Sequence, residues 1–135
     1  MGDSLELEIA TPERQLVREP VSDVQIPGKD GYLGVLPGHA ALLGLLGAGA
    51  LSYAVGGAPR RYLAIDGGFL EVLDDHVRVL ADSAEPAEDI NVERAKSDLA
   101  KAQAQLASTA PDADPVVAMA AVNRAQARID AAEHK

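Results

Sequence analysis

The chain has 135 residues, 47% of them hydrophobic, and 12 Lys or Arg stand against 21 Asp or Glu for a formal net charge of −9. That length suits one modest core, alone or with a small appendage, and excludes two large domains. Acidity and a sparse aromatic set (Tyr32, Tyr53, Tyr62 and Phe69, 3% of residues) argue against nucleic-acid partners and against direct adhesion to anionic lipid.

In chain order, residues 1–8 alternate acids with Leu and lack the basic, apolar pattern of a targeting segment. Leu5-Glu6-Leu7-Glu8-Ile9 alternates as a strand with one wet face does. Further strands are expected at 15–18 after Thr11-Pro12-Glu13, at 21–26 before a Pro27-Gly28 turn, and at 32–36 before Pro37-Gly38. The apolar run 40–51 falls short of the ~20 residues of a membrane-spanning helix and is broken by Gly44, Gly47 and Gly49. It is also too apolar for a wholly solvated loop, so part of it covers core or partner. Two hairpins follow: 51–55 with 61–65 around Gly56-Gly57, and 68–73 with 76–81 around Asp74-Asp75.

Composition then changes. All 12 glycines lie between Gly2 and Gly68, whereas residues 86–135 contain 15 alanines. Glycine marks turns and alanine is the best helix former. The expectation is a turn-rich antiparallel β-sandwich over residues 1–85 and a two-helix antiparallel hairpin over 86–135, divided at Pro86. One apolar stripe runs through Val92, Ala95, Leu99, Ala102 and Leu106, and a second through Ala118, Val122, Ala125, Ile129 and Ala132. Asn91 is placed to cap the first helix, with Ile90 and Ala95 as a hydrophobic staple; Asp114-Pro115 opens the second. The stripes are thin, because alanine buries little area, so the hairpin should dock weakly and be able to leave.

No catalytic constellation stands out. Without cysteine, disulfides, thiolate zinc sites and thiol nucleophiles are excluded. Gly28-Lys29-Asp30 is no phosphate loop, and His39, His76 and His134 lack metal-ligand spacing. His39 reads as a turn histidine or as a proton carrier, the former being the plainer reading. Asp74-Asp75 reads as an exposed turn rather than a paired acid site. Arg60-Arg61 reads as a solvated edge-strand pair rather than an anion clamp. Arg94 with Lys101, and Arg124 with Arg128, each share a helix face, and the folded hairpin could gather them around a polyphosphate or an acidic surface. The plainer alternative is ordinary intrahelical pairing, Arg94 with Asp98 and Arg128 with Glu133.

Three blocks carry a resemblance: Gly31-Tyr32-Leu33-Gly34-Val35-Leu36-Pro37-Gly38-His39-Ala40-Ala41-Leu42-Leu43, Ala64-Ile65-Asp66-Gly67-Gly68-Phe69-Leu70-Glu71-Val72, and the stretch 77–85. In order and across the whole chain, they resemble the ε subunit of bacterial F-type ATP synthase. The resemblance implies a non-catalytic rotor subunit of the central stalk. It implies a sandwich that grips the γ subunit and rests on the c-ring, with Tyr32, Leu33, His39, Leu42 and Leu45 as contact residues. It implies a hairpin that moves between a compact form and an extended form, the latter reaching the α/β catalytic head and inhibiting ATP hydrolysis. It places the subunit at the cytoplasmic face of the bacterial cell membrane, touching the membrane only through the complex.

Some members of that family bind ATP in the compact form through an Ile/Leu-Asp-x-x-Arg-Ala motif and arginines of the second helix. Here Ile90, Arg94 and Ala95 match, Asn91 replaces the aspartate, and Arg124 and Arg128 are the second-helix arginines. No cofactor is required by this reading, and ATP enters only as a regulatory ligand. Tyr32 stands where an acidic residue is common in the loop facing the ring. Two rivals remain: an ATP-sensing module built on Arg94, Arg124 and Arg128, and a small enzyme using His39 with Asp66 or Asp75.

Overall fold

The computed structural model describes residues 4–134. Eight strands precede two helices: β1 (Leu5–Ala10), β2 (Gln15–Val21), β3 (Asp23–Gly28), β4 (Gly31–Val35), β5 (Leu42–Leu45), β6 (Ala48–Ala54), β7 (Arg61–Leu73), β8 (His76–Pro86), α1 (Val92–Leu106) and α2 (Pro115–Ala132). A 3-10 turn at Ala87–Asp89 joins β8 to α1. Hydrogen bonding follows the path β2-β1-β8-β7-β6-β3-β4, with β5 added on β7. Among the described strands only β1 and β8 run parallel; the other ladders are antiparallel, as expected. No tight turn has to join β1 to β8, so a parallel pairing is open to them.

One path makes two layers because β7 and β8 each belong to both. The first part of β7 pairs with β6 (Leu51↔Leu63, Ala48↔Asp66), and the last part pairs with β5 (Leu45↔Phe69, Leu42↔Val72). The change of layer falls at Gly67 (φ 72°) and Gly68 (φ 111°). Across these glycines the alternation also reverses. Leu63 and Ile65 point inward before them, and Leu70 and Val72 after them, so the buried positions change from odd to even. The sequence reading breaks the strand here for the same reason; the structure keeps one 13-residue strand and bends it. A smaller difference lies in β3, where Pro27 stays in the ladder opposite Tyr32 and the turn moves to Lys29-Asp30.

A single core fills the space between the layers, built from Leu5, Leu7, Ile9, Val24, Ile26, Leu51, Ile65, Leu70, Val72, Val77, Val79 and their neighbours, none from the helices. Tyr53 reaches the edge of this core, and its hydroxyl donates to Glu19 Oε2 at 3.3 Å. Burial first, and the adjacent Glu19 charge second, raise its phenol pKa above the ordinary value.

Gly68 is the corner's critical residue. A Cβ there would fall on the Leu80 carbonyl oxygen and lie 2.9 Å from Ala81 Cα, both backbone atoms of β8. Positive φ adds a second penalty for any L side chain. Gly68→Ala should therefore lower unfolding free energy by about 2–4 kcal/mol, read as a shifted urea midpoint with an unchanged slope. A midpoint within error of wild type would show that the corner relaxes without cost.

Candidate functional site

The helices begin where their caps dictate. Asn91 Oδ1 accepts from Arg94 N at 3.0 Å, and Asp114 Oδ1 accepts from Val116 N and Val117 N at 3.0 and 3.3 Å. Ala95 and Ala102 of α1 and Ala118 and Ala125 of α2 are buried in the hairpin seam. Helix α2 carries a second buried face, Ala127, Ala131 and Ala132, which packs with Ile90 on Ala48, Ala50 and Ala64 of the sandwich. One stripe per helix was expected; α2 has two because it lies between α1 and the sheet.

Ion pairs bracket this alanine seam. Arg124 Nε donates to Asp66 Oδ2 at 2.9 Å. Arg128 forks onto Glu85, with Nε–Oε1 at 2.8 Å and Nη2–Oε2 at 3.5 Å, and its Nη1 lies 3.7 Å from Asp98 of α1. Arg94 pairs with Asp98 at 4.0 Å, as the plain intrahelical reading expects. Arg128 is a correction: its partners are Glu85 and Asp98, not Glu133, because its side of α2 faces β8 and α1. The sandwich and the hairpin are thus joined by two carboxylate–guanidinium clips. At the far end of α2 the His134 ring stacks on Tyr62 of β7, with centroids 4.1 Å apart.

The cationic residues do not all converge. Lys101, Arg124 and Arg128 line one cleft of ≈ 230 Å³ with Asp98, Gln105 and alanines. Arg94 lies on the exposed side of α1, while Ile90 and Ala95 are buried. Asp66, which the enzyme reading pairs with His39, is engaged by Arg124. His39 Nδ1 lies 2.7 Å from the Ala40 carbonyl oxygen, and Asp75 Oδ1 accepts from Gly38 N. Those three residues therefore form no triad-like chain. Arg60 departs from the solvated reading too. It precedes β7, sits 2.8 Å from Asp23 Oδ1 and donates to the buried Ser52 hydroxyl, whereas Arg61 is exposed on β7, an interior and not an edge strand of the path.

On the other outer face the register builds an apolar row. Leu45 of β5 opposes Phe69 of β7, Phe69 opposes Leu80 of β8, and Leu80 opposes Ala10 of β1. Leu45, Phe69 and Leu80 are 51%, 57% and 42% exposed, and Leu43, two residues along β5, is 75% exposed. The neighbouring row is charged, with Arg78 bridging Glu8 at 3.3 Å and Glu71 at 3.8 Å. Of the five expected contact residues, Tyr32 and Leu45 are exposed, His39 is half-buried, and Leu33 and Leu42 pack on the core. The Tyr32 hydroxyl also accepts from Ala50 N at 2.9 Å. Phe69 and Leu80 escaped the sequence reading, which reached Leu43 only as part of the apolar run 40–51. Strand parity read across the Gly67-Gly68 corner is the signal that finds them.

A sandwich with a clipped helical hairpin on one outer face and an exposed apolar row on the other defines a two-part interaction subunit. Comparison with known proteins agrees. Residues 4–87 match the ATP synthase delta/epsilon chain β-sandwich domain, and residues 88–133 match the delta/epsilon chain long α-helix domain. A protein named ATP synthase epsilon chain from Solibacter usitatus is 58% identical over 135 residues, covering 100% of both chains. Another of that name from Syntrophobacter fumaroxidans is 43% identical over 133 residues, covering 98% of each. A chain in a cryo-EM structure of the Euglena gracilis mitochondrial ATP synthase OSCP/F1/c-ring assembly superposes with a TM-score of 0.85. It is 26% identical, over 99% of this chain and 84% of that one. The chain belongs to the delta/epsilon chain family of ATP synthase, and so is a non-catalytic subunit of that rotary complex. No described helix is long and apolar enough to cross a membrane.

Proposed function

We propose that the sandwich holds the γ subunit through the row Leu45–Phe69–Leu80, extended by Leu43, and rests on the c-ring. In this reading it lies at the cytoplasmic face of the cell membrane. The observation that carries it is the position of the row: on the outer face opposite the one the hairpin covers. A rotor contact there survives any movement of the helices. Tyr32 and His39 are the further contact residues. Co-expression with γ and isolation of a 1:1 complex tests the proposal, and failure of the two chains to co-purify would end it.

The hairpin is proposed as a reversible brake: docked on the sandwich, or released toward the α/β catalytic subunits to inhibit ATP hydrolysis. Its hold supports this. A seam of methyl groups contributes about 0.8 kcal/mol per buried carbon, and the two partly exposed ion pairs contribute about 1 kcal/mol each. Two states separated by so little can be exchanged by a partner's contacts.

The ATP-sensing reading draws support from Lys101, Arg124 and Arg128 around one cleft. Against it, the guanidinium groups of Arg124 and Arg128 are already engaged by Asp66, Glu85 and Asp98, and Asn91 Oδ1 is engaged as the α1 cap. A polyanion must displace those carboxylates and approach a chain of net charge −9. ATP should bind the isolated chain no more tightly than about 1 mM by isothermal titration. Submillimolar binding would restore a regulatory ligand to the mechanism, and Lys101→Ala, which removes a cation lining that cleft, should then weaken it.

A further inference from the structure

The β7–β8 turn is built against its own preference. Asp74 and Asp75 both hold positive φ, 50° and 61°, the geometry of a two-residue hairpin turn whose second position favours glycine. An aspartate tolerates that region at some cost. Its side chain is in use elsewhere: Asp75 Oδ1 accepts from Gly38 N at 2.7 Å, a charge-assisted bond spanning 37 residues of sequence. Its backbone is held separately, since Asp75 O accepts from Glu6 N of β1 at 2.8 Å. The carboxylate can therefore be removed without freeing the turn.

Gly38 sits at the centre of the 36–41 segment, which joins β4 to β5 and belongs to no strand. Within that segment His39 N bonds Leu36 O, and the Asp75 contact ties it to another element. Leu36, Ala40 and Ala41 are exposed, and the chain runs directly into Leu43 and Leu45 of the apolar row. We infer that Asp75 is a positioning residue: its carboxylate clasps the 36–41 loop so that Leu36, His39 and Ala41 continue the γ-binding surface begun by β5. This rests on the proposed γ contact.

The test uses the full chain with Asp75→Gly and Asp75→Asn. Glycine relaxes the turn but deletes the clasp. Its melting temperature should equal or exceed that of wild type, while the Gly38 amide exchanges at least about tenfold faster and γ dissociates severalfold faster. Asparagine keeps an acceptor oxygen and tolerates positive φ, so it should restore both readouts toward wild type. A merely structural role would lower the melting temperature of the glycine variant instead. Wild-type exchange at Gly38, or a wild-type dissociation rate from γ, in Asp75→Gly overturns the inference. If wild type itself fails to bind γ, the rotor contact falls, and Gly38 exchange still decides whether the clasp exists.

Discussion

Phe69→Asp should weaken the complex with γ by about a hundredfold while the free sandwich melts within about 4 °C of wild type. Phe69 is 57% exposed in the isolated chain, so an aspartate there stays in water and strains nothing. Against a partner the balance changes. Contact would remove the carboxylate from solvent with Leu45 and Leu80 as its strand neighbours, neither able to donate a hydrogen bond. A hundredfold loss is about 2.7 kcal/mol, modest for a desolvated charge at the centre of an interface. Leu45→Asp should act in the same direction and less strongly, being nearer the edge. Leu42→Asp is a poorer probe, because Leu42 packs on the core and its loss confounds folding with binding. The measurement is the dissociation rate of purified chain from immobilised γ, beside a melting curve of each variant. Wild-type rates for both Phe69→Asp and Leu45→Asp would remove this face from the rotor contact.

What the sequence disclosed, and what it hid, follow from the range of the forces involved. Strand β1 was legible because one face is wet and one dry, so Leu5, Leu7 and Ile9 alternate with acids. The helix starts at Asn91 and Asp114 were legible because capping is a local hydrogen bond. The length of β7 was not, since its bend at Gly67-Gly68 reverses the alternation that identifies a strand. The apolar row was hidden for the same reason: Phe69 becomes a neighbour of Leu45 and Leu80 only once that register is fixed. The second face of α2 was hidden because alanine carries no signal of which side is buried; Ala127 and Ala131 read like any other helix formers. Of the cationic residues, Arg124 and Arg128 were singled out, but their partners Asp66 and Glu85 lie 58 and 43 residues away, beyond any local pattern.

Those partners sharpen the test of the brake. Removing the helices should raise ATP hydrolysis by the assembled enzyme and leave synthesis and coupling in place. The cleaner cut falls after Asp89. Pro86 still pairs with Leu63 in the β8 ladder, and Ala87 is buried, so an earlier end would trim the sandwich itself. Substituting Arg124 and Arg128 is ambiguous, because it removes the docking clips and also any contact the same guanidinium groups make with acidic catalytic subunits. The carboxylate side separates the two. Asp66→Asn with Glu85→Gln weakens both clips and leaves every helix residue intact. Losing roughly 1–2 kcal/mol of docking shifts the docked-to-released ratio by about 5- to 30-fold toward release. If the released hairpin is the brake, this double variant should hydrolyse ATP more slowly than wild type, whereas truncation makes the complex faster. Adding the truncation to the double variant should abolish the difference, since the clips then hold nothing. Hydrolysis by reconstituted complexes at matched subunit content reads all three. A truncated chain no faster than wild type would confine the hairpin to assembly or stability. A double variant faster than wild type would make the docked form the inhibitory one.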